Sequence, residues 1–365
     1  MATLIPSVHI IGSRGPGGAE GFYCRLVQGL ARSGRSVHTI NPPASEVGKR
    51  LDGAVPQAHV RMLGAWDLRA RFRIGQIIRS LRPAIVQTYL GRATRLTHIS
   101  ERQGPVHVAR LGGYYDLKSY RHAHAWVGNT QGLCDYLVRQ GLSAGRVFYI
   151  GNFVDIPGER DVEDAAARRE VLGIPREAYV VLSVGRLHPV KGIEVLLHAL
   201  AYASASWGGL ALYLVLVGEG PARKKLTALV GSLGLERRVY FAGWQPDPSL
   251  YYSIADLVVS SSHHETLGNT ILEAWAARRP VVATATPGAR ELIDHGARGF
   301  LTPVGDARAL ARGLAELLQD PAFGARLAEA GYQEVRTRYS PEVIVAAYAD
   351  LYAQLIEKSR RSAER

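Results

Sequence analysis

The chain is poor in cysteine and in long apolar runs, and each shortage excludes a class of protein. Its 365 residues include only two cysteines, Cys24 and Cys134. They stand far apart, each within a helical apolar pattern, so we expect two small buried hydrophobic residues rather than a disulfide framework or a zinc site. The longest purely apolar run, 210–217, is far shorter than the roughly 20 residues of a transmembrane helix. The amino terminus lacks the pattern of a signal peptide, so we expect a cytoplasmic protein.

Acidic residues are also in short supply relative to basic ones. The chain has 44 Lys and Arg against 32 Asp and Glu, a formal net charge of +12. This surplus favours an anionic partner: a polyanion, an anionic membrane surface or a phosphorylated substrate. Because no nucleic-acid recognition motif accompanies the charge, we expect no nucleic-acid partner.

Short β-rich runs alternate with segments of helical apolar spacing, which predicts a parallel α/β protein. The predicted strands cover residues 8–11, 37–40, 85–88, 106–109, 125–128 and 147–150, and then 180–184, 212–217, 239–241, 257–260, 281–283 and 299–302. Helical spacing is found at 20–33, 192–203, 222–233, 267–277, 307–319 and 342–357. The predicted strands are nearly continuous apolar runs, as expected when helices cover both faces of a sheet.

The alternation breaks in the charged stretch 157–169, which predicts a boundary between two domains. We expect Rossmann-like parallel-sheet domains at 1–154 and 155–338, facing each other across a deep cleft. A helix within 339–365 is expected to pack back towards the first domain. The crevice at the carboxyl ends of the strands is the usual ligand site of open α/β sheets.

The first candidate motif, GSRGPGGAE at 12–20, follows a predicted strand and opens a helix. Gly17 and Gly18 would let backbone N–H groups approach an anion at the positive end of that helix. The run matches neither the dinucleotide fingerprint nor the P-loop, which argues against a nicotinamide-dependent oxidoreductase. An ordinary strand-to-helix turn accounts for it equally well.

The second motif, GRLHPVKG at 185–192, again lies between a strand and a helix. Gly185 begins it, and Arg186 and Lys191 would place two cations in one crevice. A diphosphate suits both, since the planar guanidinium binds it bidentately and the ammonium acts as a point charge. The alternative is a solvated loop.

The third motif, SSSHHETLGNTILEA at 260–274, spaces two carboxylates as Glu-x7-Glu across a loop and the helix that follows it. An ionised carboxylate only accepts hydrogen bonds, so Glu265 and Glu273 suit sugar and ribose hydroxyls. Backbone N–H groups at the helix start, near 266–268, are free for an anionic group. The alternative makes Glu265 a capping residue and Glu273 an exposed helical one. Beside the cations of the second motif, these carboxylates predict a site for a molecule that is part sugar and part phosphate.

The ordered set of motifs resembles the family-4 retaining glycosyltransferases of the GT-B fold, in particular those that build bacterial envelope glycans and lipopolysaccharide. The resemblance rests on the runs GGAE (17–20), NFVD (152–155), GRL…KG (185–192), VGEGP (217–221), FAGW (241–244), Glu-x7-Glu (265–273), RPVVAT (279–284), PGAREL (287–292) and GFL (299–301). It implies transfer of a sugar from a nucleotide-diphosphate donor to a glycan or glycolipid hydroxyl with the anomeric configuration kept. It implies no cofactor and no metal, with the acceptor on the first domain and the donor on the second.

The resemblance also implies a role for individual residues. The catalytic set is Glu265, Arg186 and Lys191; the donor-binding set is Gly17, Gly18, Gly185, Gly243, Thr266, Leu267, Gly268 and Glu273; the acceptor-binding set is Arg92, Arg95, Tyr114, Tyr115 and Lys118. One departure is visible, because many relatives carry a histidine where Gly112 stands here. A soluble sugar or sugar-phosphate acceptor, or nucleotide-sugar binding without catalysis, is the alternative.

The segment 68–82 is basic and amphipathic. As a Rossmann helix it would pack on its sheet through Phe72, Ile77, Ile78 and Leu81. The alternative is that its arginine face meets an anionic membrane surface, which would place the protein peripherally on the cytoplasmic face of the inner membrane.

Overall fold

Two parallel β-sheets organise the chain, one in each of two units. The computed structural model describes residues 6–15, 17–64, 66–100, 104–157, 162–206 and 211–363. Unit 1 consists of Met1–Phe153 together with Pro341–Arg365, and unit 2 consists of Val154–Ser340. Within the predicted boundary stretch 157–169, residues 158–161 lie outside the described residues.

Unit 1 is built on a seven-stranded parallel sheet in the order β3-β2-β1-β4-β5-β6-β7. Its strands are β1 (Ser7–Ile11), β2 (Val37–Asn41), β3 (Gln57–His59), β4 (Ile85–Tyr89), β5 (Val106–Leu111), β6 (Ala125–Gly128) and β7 (Val147–Tyr149). Its helices before the crossing into unit 2 are α1 (Gly18–Arg32), α2 (Glu46–Arg50), α3 (Leu68–Leu81), α4 (Leu90–Leu96) and α5 (Gln131–Arg139). Because β1 pairs with both β2 and β4, the strand order reverses beside β1.

Unit 2 repeats this plan with a six-stranded parallel sheet in the order β10-β9-β8-β11-β12-β13. Its strands are β8 (Tyr179–Val184), β9 (Leu212–Val217), β10 (Val239–Gly243), β11 (Leu257–Ser260), β12 (Val281–Thr284) and β13 (Phe300–Thr302). Its helices are α6 (Val162–Val171), α7 (Ile193–Ser206), α8 (Arg223–Ser232), α9 (Ser249–Ile254), α10 (Asn269–Ala276), α11 (Pro287–Leu292), α12 (Ala307–Gln319) and α13 (Pro321–Arg338). Here the order reverses beside β8, which pairs with β9 and β11.

The last helix, α14 (Pro341–Ala363), belongs to unit 1. Pro341 stands at its first position, where a missing N–H costs no hydrogen bond. The helix buries Ile344, Tyr348 and Tyr352 in the same apolar cluster as Phe22 of α1. The Tyr352 hydroxyl donates to Gln87 Oε1 at 2.7 Å within this core.

The predicted fold class is confirmed, since both sheets are wholly parallel and every predicted strand is present within two residues at either end. Both cysteines are buried thiols, as expected. The sequence patterns missed β3, which is short and carries two polar residues among three. The packing predicted for Phe72 is wrong: its side chain is exposed, whereas Ile78 is buried. Within the described part of the chain, no helix combines the length and apolarity needed to cross a bilayer.

Candidate active site

The two charged motifs of unit 2 follow β8 and β11, which are neighbours in the sheet. Their strands run parallel, so both loops leave from the same edge at the point where the strand order reverses. Such a switch point is where open α/β sheets bind ligands. The topology therefore brings together two segments that are about 70 residues apart in sequence.

The loop after β8 is held by backbone contacts with its neighbours. Gly192 has φ +56°, and a Cβ on it would lie 2.2 Å from the carbonyl oxygen of Ser261. Ser261 Oγ donates to the Lys191 carbonyl at 2.9 Å, and the N–H of His263 donates to the Val190 carbonyl at 2.8 Å. Only glycine fits this left-handed, crowded position, so the loop end that carries Lys191 is pressed against the loop after β11.

Lys191 and Glu265 form an ion pair between the two loops. Glu265 Oε1 also accepts from Ser262 Oγ at 3.1 Å. Both charged side chains are about three-quarters buried, with 26% and 21% of their surface exposed. Partial burial strengthens such a pair relative to one in open solvent. The structure thus assembles a fixed cation and a fixed hydrogen-bond acceptor at one point.

Arg186 lies on the same loop as Lys191 but is exposed. No carboxylate pairs with its guanidinium among the described residues. His188, between the two cations, has its Nδ1 accepting from the Val190 N–H at 3.2 Å, so one of its ring nitrogens holds the loop in shape. Gly185 has φ +152° and leaves room for the Lys191 side chain, whose Cε is 3.6 Å from an ideal Cβ position.

The segment from Glu265 to α10 is a tight turn that leaves the helix start uncapped by any side chain. Gly268 precedes α10 with φ +93° and provides no side-chain cap. The Glu265 carbonyl accepts from the Gly288 N–H at 3.1 Å, and a Cβ on Gly288 would lie 2.5 Å from the Leu267 carbonyl oxygen. Thr266 is half-buried and Leu267 is buried. These contacts fix backbone N–H groups at the positive end of α10.

Glu273 lies in α10 and is half-buried. Its Oε2 accepts from the Tyr252 hydroxyl at 2.7 Å. Burial, followed by the nearby Glu273 charge, raises the pKa of Tyr252 well above its ordinary value, so the hydroxyl remains a donor. The sequence motifs did not single out Tyr252, because it lies in α9 and no local spacing connects it with Glu273.

Gly243 ends β10, two strands away from β8. It has φ +70°, and its carbonyl accepts from the Gly218 N–H at 2.8 Å. A Cβ on Gly218 would lie 1.9 Å from the Gly185 carbonyl oxygen. The backbones of the loops after β8, β9 and β10 therefore lie in direct contact. This contact requires a glycine at position 218.

In unit 1 the first glycine motif follows β1, again beside the reversal of strand order. Gly17 and Gly18 stand at the start of α1, and Gly17 provides no side-chain cap. A Cβ on Gly17 would lie 2.3 Å from Glu20 Oε2, so the Glu20 carboxylate occupies the space beside this helix start. The motif presents a carboxylate together with backbone N–H groups.

The predicted acceptor residues of unit 1 lie in three different environments. Arg92 is tied to the fold, because its Nη1 donates to the carbonyls of Gly12 and Met62, both at 3.2 Å. The Arg95 guanidinium lies 3.8 Å from the ring centroid of Trp66. The rings of Tyr114 and Tyr115 pack against Tyr136 and Tyr120 respectively, and the exposed Lys118 is 3.6 Å from Asp116.

Gly112, the position at which the resemblance implied a histidine, is adjacent to a buried cation that the sequence motifs did not single out. Arg110, in β5, is buried and donates to Asn152 Oδ1. Its guanidinium lies 4.2 Å from the Phe22 ring centroid, and its Nη1 is 2.8 Å from an ideal Cβ on Gly112. Arg110 therefore fills the space that a side chain at position 112 would enter.

These two Rossmann-like units, each with a charged loop at the reversal of strand order, have the GT-B fold. The family described as glycosyl transferases group 1 matches residues 164–334. The chain is 33% identical over 92% of its length to the lipopolysaccharide core biosynthesis glycosyltransferase LpsE of Rhizobium meliloti (strain 1021), covering 96% of that protein. LpsD of the same organism is 29% identical over 94% of this chain and 96% of its own length. The chain belongs to the group 1 glycosyltransferase family.

A solved structure agrees with this assignment at the level of the fold. The Anabaena protein Alr3699/HepE, crystallised with UDP and glucose, superposes with a TM-score of 0.83 at 22% identity. The superposition covers 96% of this chain and 100% of that one. At this identity the likeness shows the fold alone.

Proposed function

We propose that this protein is a family-4 retaining glycosyltransferase that moves a sugar from a nucleotide-diphosphate donor to a hydroxyl of a lipopolysaccharide core or other envelope glycan. The observation that carries the proposal is the Lys191–Glu265 pair, which two crowded loops hold together beside β8. The free Arg186 lies on the same loop. Cations and carboxylates in one place suit a ligand with one anionic part and one part rich in hydroxyls.

In this proposal the donor's diphosphate is neutralised by Arg186 and Lys191. Glu265 accepts hydrogen bonds from the donor sugar, and the backbone N–H groups at 266–268 face the sugar and phosphates. Glu273 accepts from the ribose, with Tyr252 holding one of its oxygens in place. Gly185 and Gly243 give the donor room, and we also assign Gly17 and Gly18 to donor binding.

The reaction breaks the bond between the anomeric carbon and the diphosphate oxygen and forms a bond from that carbon to the acceptor oxygen. Positive charge develops on the sugar and negative charge on the departing phosphate, where fixed cations are most effective. The acceptor attacks from the face that the phosphate leaves, and the phosphate takes its proton, so the configuration is kept. We propose that neither a metal nor another cofactor takes part.

The proposed acceptor class follows the relatives that cover nearly the whole chain, whose names place them in lipopolysaccharide core biosynthesis. Tyr114, Tyr115, Lys118 and Arg95 are the side chains of unit 1 that we propose to contact the acceptor, and Arg92 shapes the loop beside them. We propose a cytoplasmic location, since two cysteines that remain thiols suit a reducing compartment.

The test begins with a thermal-shift screen over nucleotide-sugars, because a ligand that binds only the folded state raises the melting temperature. The selected donor is then used in transfer assays with core oligosaccharide, a free sugar and a sugar phosphate as acceptors. Lys191→Ala and Glu265→Gln are expected to lower kcat by about a hundredfold or more, with the melting temperature of the unliganded protein reduced only slightly. The anomeric configuration of the product is read by NMR.

Lys225→Ala and Glu236→Gln serve as charge-matched controls, because both residues are exposed in unit 2 and belong to neither loop. They should transfer sugar at the wild-type rate. Wild-type turnover in both site variants would contradict the site assignment, and an inverted product would contradict retention. Donor binding without turnover on any acceptor would favour a nucleotide-sugar-binding protein.

A further inference from the structure

The start of α3 and the loop before it expose an apolar ridge, which we define as Leu63, Trp66, Leu68 and Phe72. Their side chains are 79%, 80%, 74% and 62% exposed. These are four of the twelve large hydrophobic side chains exposed among the described residues, and they fall within ten positions. Single exposed hydrophobic residues are ordinary, but a contiguous exposed group marks an interaction surface.

The ridge is part of an ordered helix start. Asp67 caps α3, with Oδ1 accepting from the Ala70 N–H at 3.0 Å and Oδ2 from the Leu63 N–H at 3.1 Å. These two bonds lower the pKa of Asp67 and join the loop to the helix. Because a helix turns by about 100° per residue, Leu68 and Phe72 point the same way. Ala70, Ile74 and Ile78 on the other side are buried.

Arginines surround the ridge with almost no opposing charge. Between positions 61 and 82 the chain has six arginines and a single acidic residue, the cap Asp67. The arginines are Arg61, Arg69, Arg71, Arg73, Arg79 and Arg82, all exposed. None of them forms an ion pair with a carboxylate in the described part of the chain. On α3, Arg69 and Arg73 lie to one side of the Leu68–Phe72 row and Arg71 to the other.

Beside α3 lies a shallow cavity of about 620 Å³, lined by Arg73 and Arg79 together with Gln76 and Ser80. Two cations and two hydrogen-bonding side chains at the rim of a cavity suit an anionic headgroup. Arg79 also borders a second cavity of about 460 Å³. Arginines that flank the ridge therefore line cavities suited to a phosphate, and Arg79 borders both of them.

We propose that the apolar ridge and its flanking arginines dock the protein on an anionic phospholipid bilayer. Trp and Phe enter the headgroup region while arginines contact lipid phosphates, the arrangement of an interfacial amphipathic helix. A second copy of the chain fits less well, because the same positive face would meet itself. A nucleic acid would use the arginines and Trp66 but would leave Leu63 and Leu68 without a partner.

The experiment uses the full chain without donor or acceptor, so its outcome is independent of the proposed transfer reaction. Flotation is measured with vesicles of phosphatidylcholine and phosphatidylglycerol, and with phosphatidylcholine alone. We expect binding to the anionic vesicles, weakened by salt, with a blue shift of tryptophan fluorescence that disappears in Trp66→Ser. Since each basic residue near an anionic surface adds about fivefold to binding, Arg69→Gln/Arg71→Gln/Arg73→Gln should bind about a hundredfold more weakly.

Trp66→Ser/Phe72→Ser tests the ridge; both positions are exposed, so the melting temperature should fall only slightly, through loss of the contact between Trp66 and the Arg95 guanidinium. The matched controls lie in unit 2: Val171→Ser for exposed apolar surface, and Arg237→Gln/Arg312→Gln/Arg336→Gln for net charge. Absence of wild-type binding at low salt would overturn the proposal. An equal loss of vesicle binding in the charge control would also overturn it. So would a ridge variant that binds vesicles normally but loses self-association or oligonucleotide binding.

Discussion

Replacing Gly192 with alanine tests how the two charged loops of unit 2 are held together. The added Cβ would lie 2.2 Å from the Ser261 carbonyl oxygen, against roughly 3.5 Å for an ordinary contact. The residue also has φ +56°, where an alanine costs about 1–2 kcal/mol. Overpacking typically adds about 1–3 kcal/mol, so we expect the free energy of unfolding to fall by about 2–5 kcal/mol.

Gly234→Ala separates the two contributions. Gly234 has φ +65° but no atom within 4 Å of an added Cβ, so it should lose only the conformational part, about 1–2 kcal/mol. The difference between the variants in urea unfolding measures the clash with Ser261. Because Gly192 follows Lys191, Gly192→Ala should also weaken donor binding, whereas Gly234→Ala should not. Equal unfolding midpoints in the two variants would refute the reasoning.

Three further predictions concern stability and reactivity. Tyr352→Phe leaves Gln87 Oε1 without its buried donor and should lower the free energy of unfolding by about 1–3 kcal/mol in a denaturation assay. Asp256→Ala removes the carboxylate oxygen that accepts from both Arg169 Nη2 at 2.9 Å and the Val180 N–H at 2.7 Å. We expect the free energy of unfolding to fall by about 2 kcal/mol. An unchanged unfolding midpoint would contradict these contacts. Burial raises the pKa of Cys24 to about 11, so its thiolate should be scarce at neutral pH. We therefore expect its thiol to react with a disulfide reagent only after unfolding. Fast reaction of the folded chain would show that Cys24 is accessible.

The strands were predictable because each is a short, nearly continuous apolar run between turn signals. α13 was not, and its packing shows why. A Cβ on Gly331 would lie 2.3 Å from the Trp275 ring, so the helix meets its neighbour through a small residue instead of a large apolar one. Close packing through glycine leaves no hydrophobic period to detect.

The side-chain types of the candidate site were predictable, but their partners were not. Lys191 and Glu265 stand 74 positions apart, and their pairing depends on β11 lying beside β8. The resemblance implied the loops but not the ion pair, nor the Tyr252 hydroxyl on Glu273. For Phe72 the apolar residue type suggested burial, although the helical step of about 100° per residue places it nearly opposite the buried Ile74.

The two units fix their loops by different means, and this difference bears on function. In unit 2 three glycines, at 192, 218 and 288, hold the loops by backbone contact, so the loop positions do not depend on the Lys191–Glu265 ion pair alone. In unit 1 side chains hold the loop after β1, because Arg92 spans the carbonyls of Gly12 and Met62. Backbone contacts tolerate few changes, whereas side chains that brace a loop can be exchanged together with it. Substitutions around the unit 1 loops should therefore change which acceptor is used, whereas those at the unit 2 glycines should reduce transfer to every acceptor.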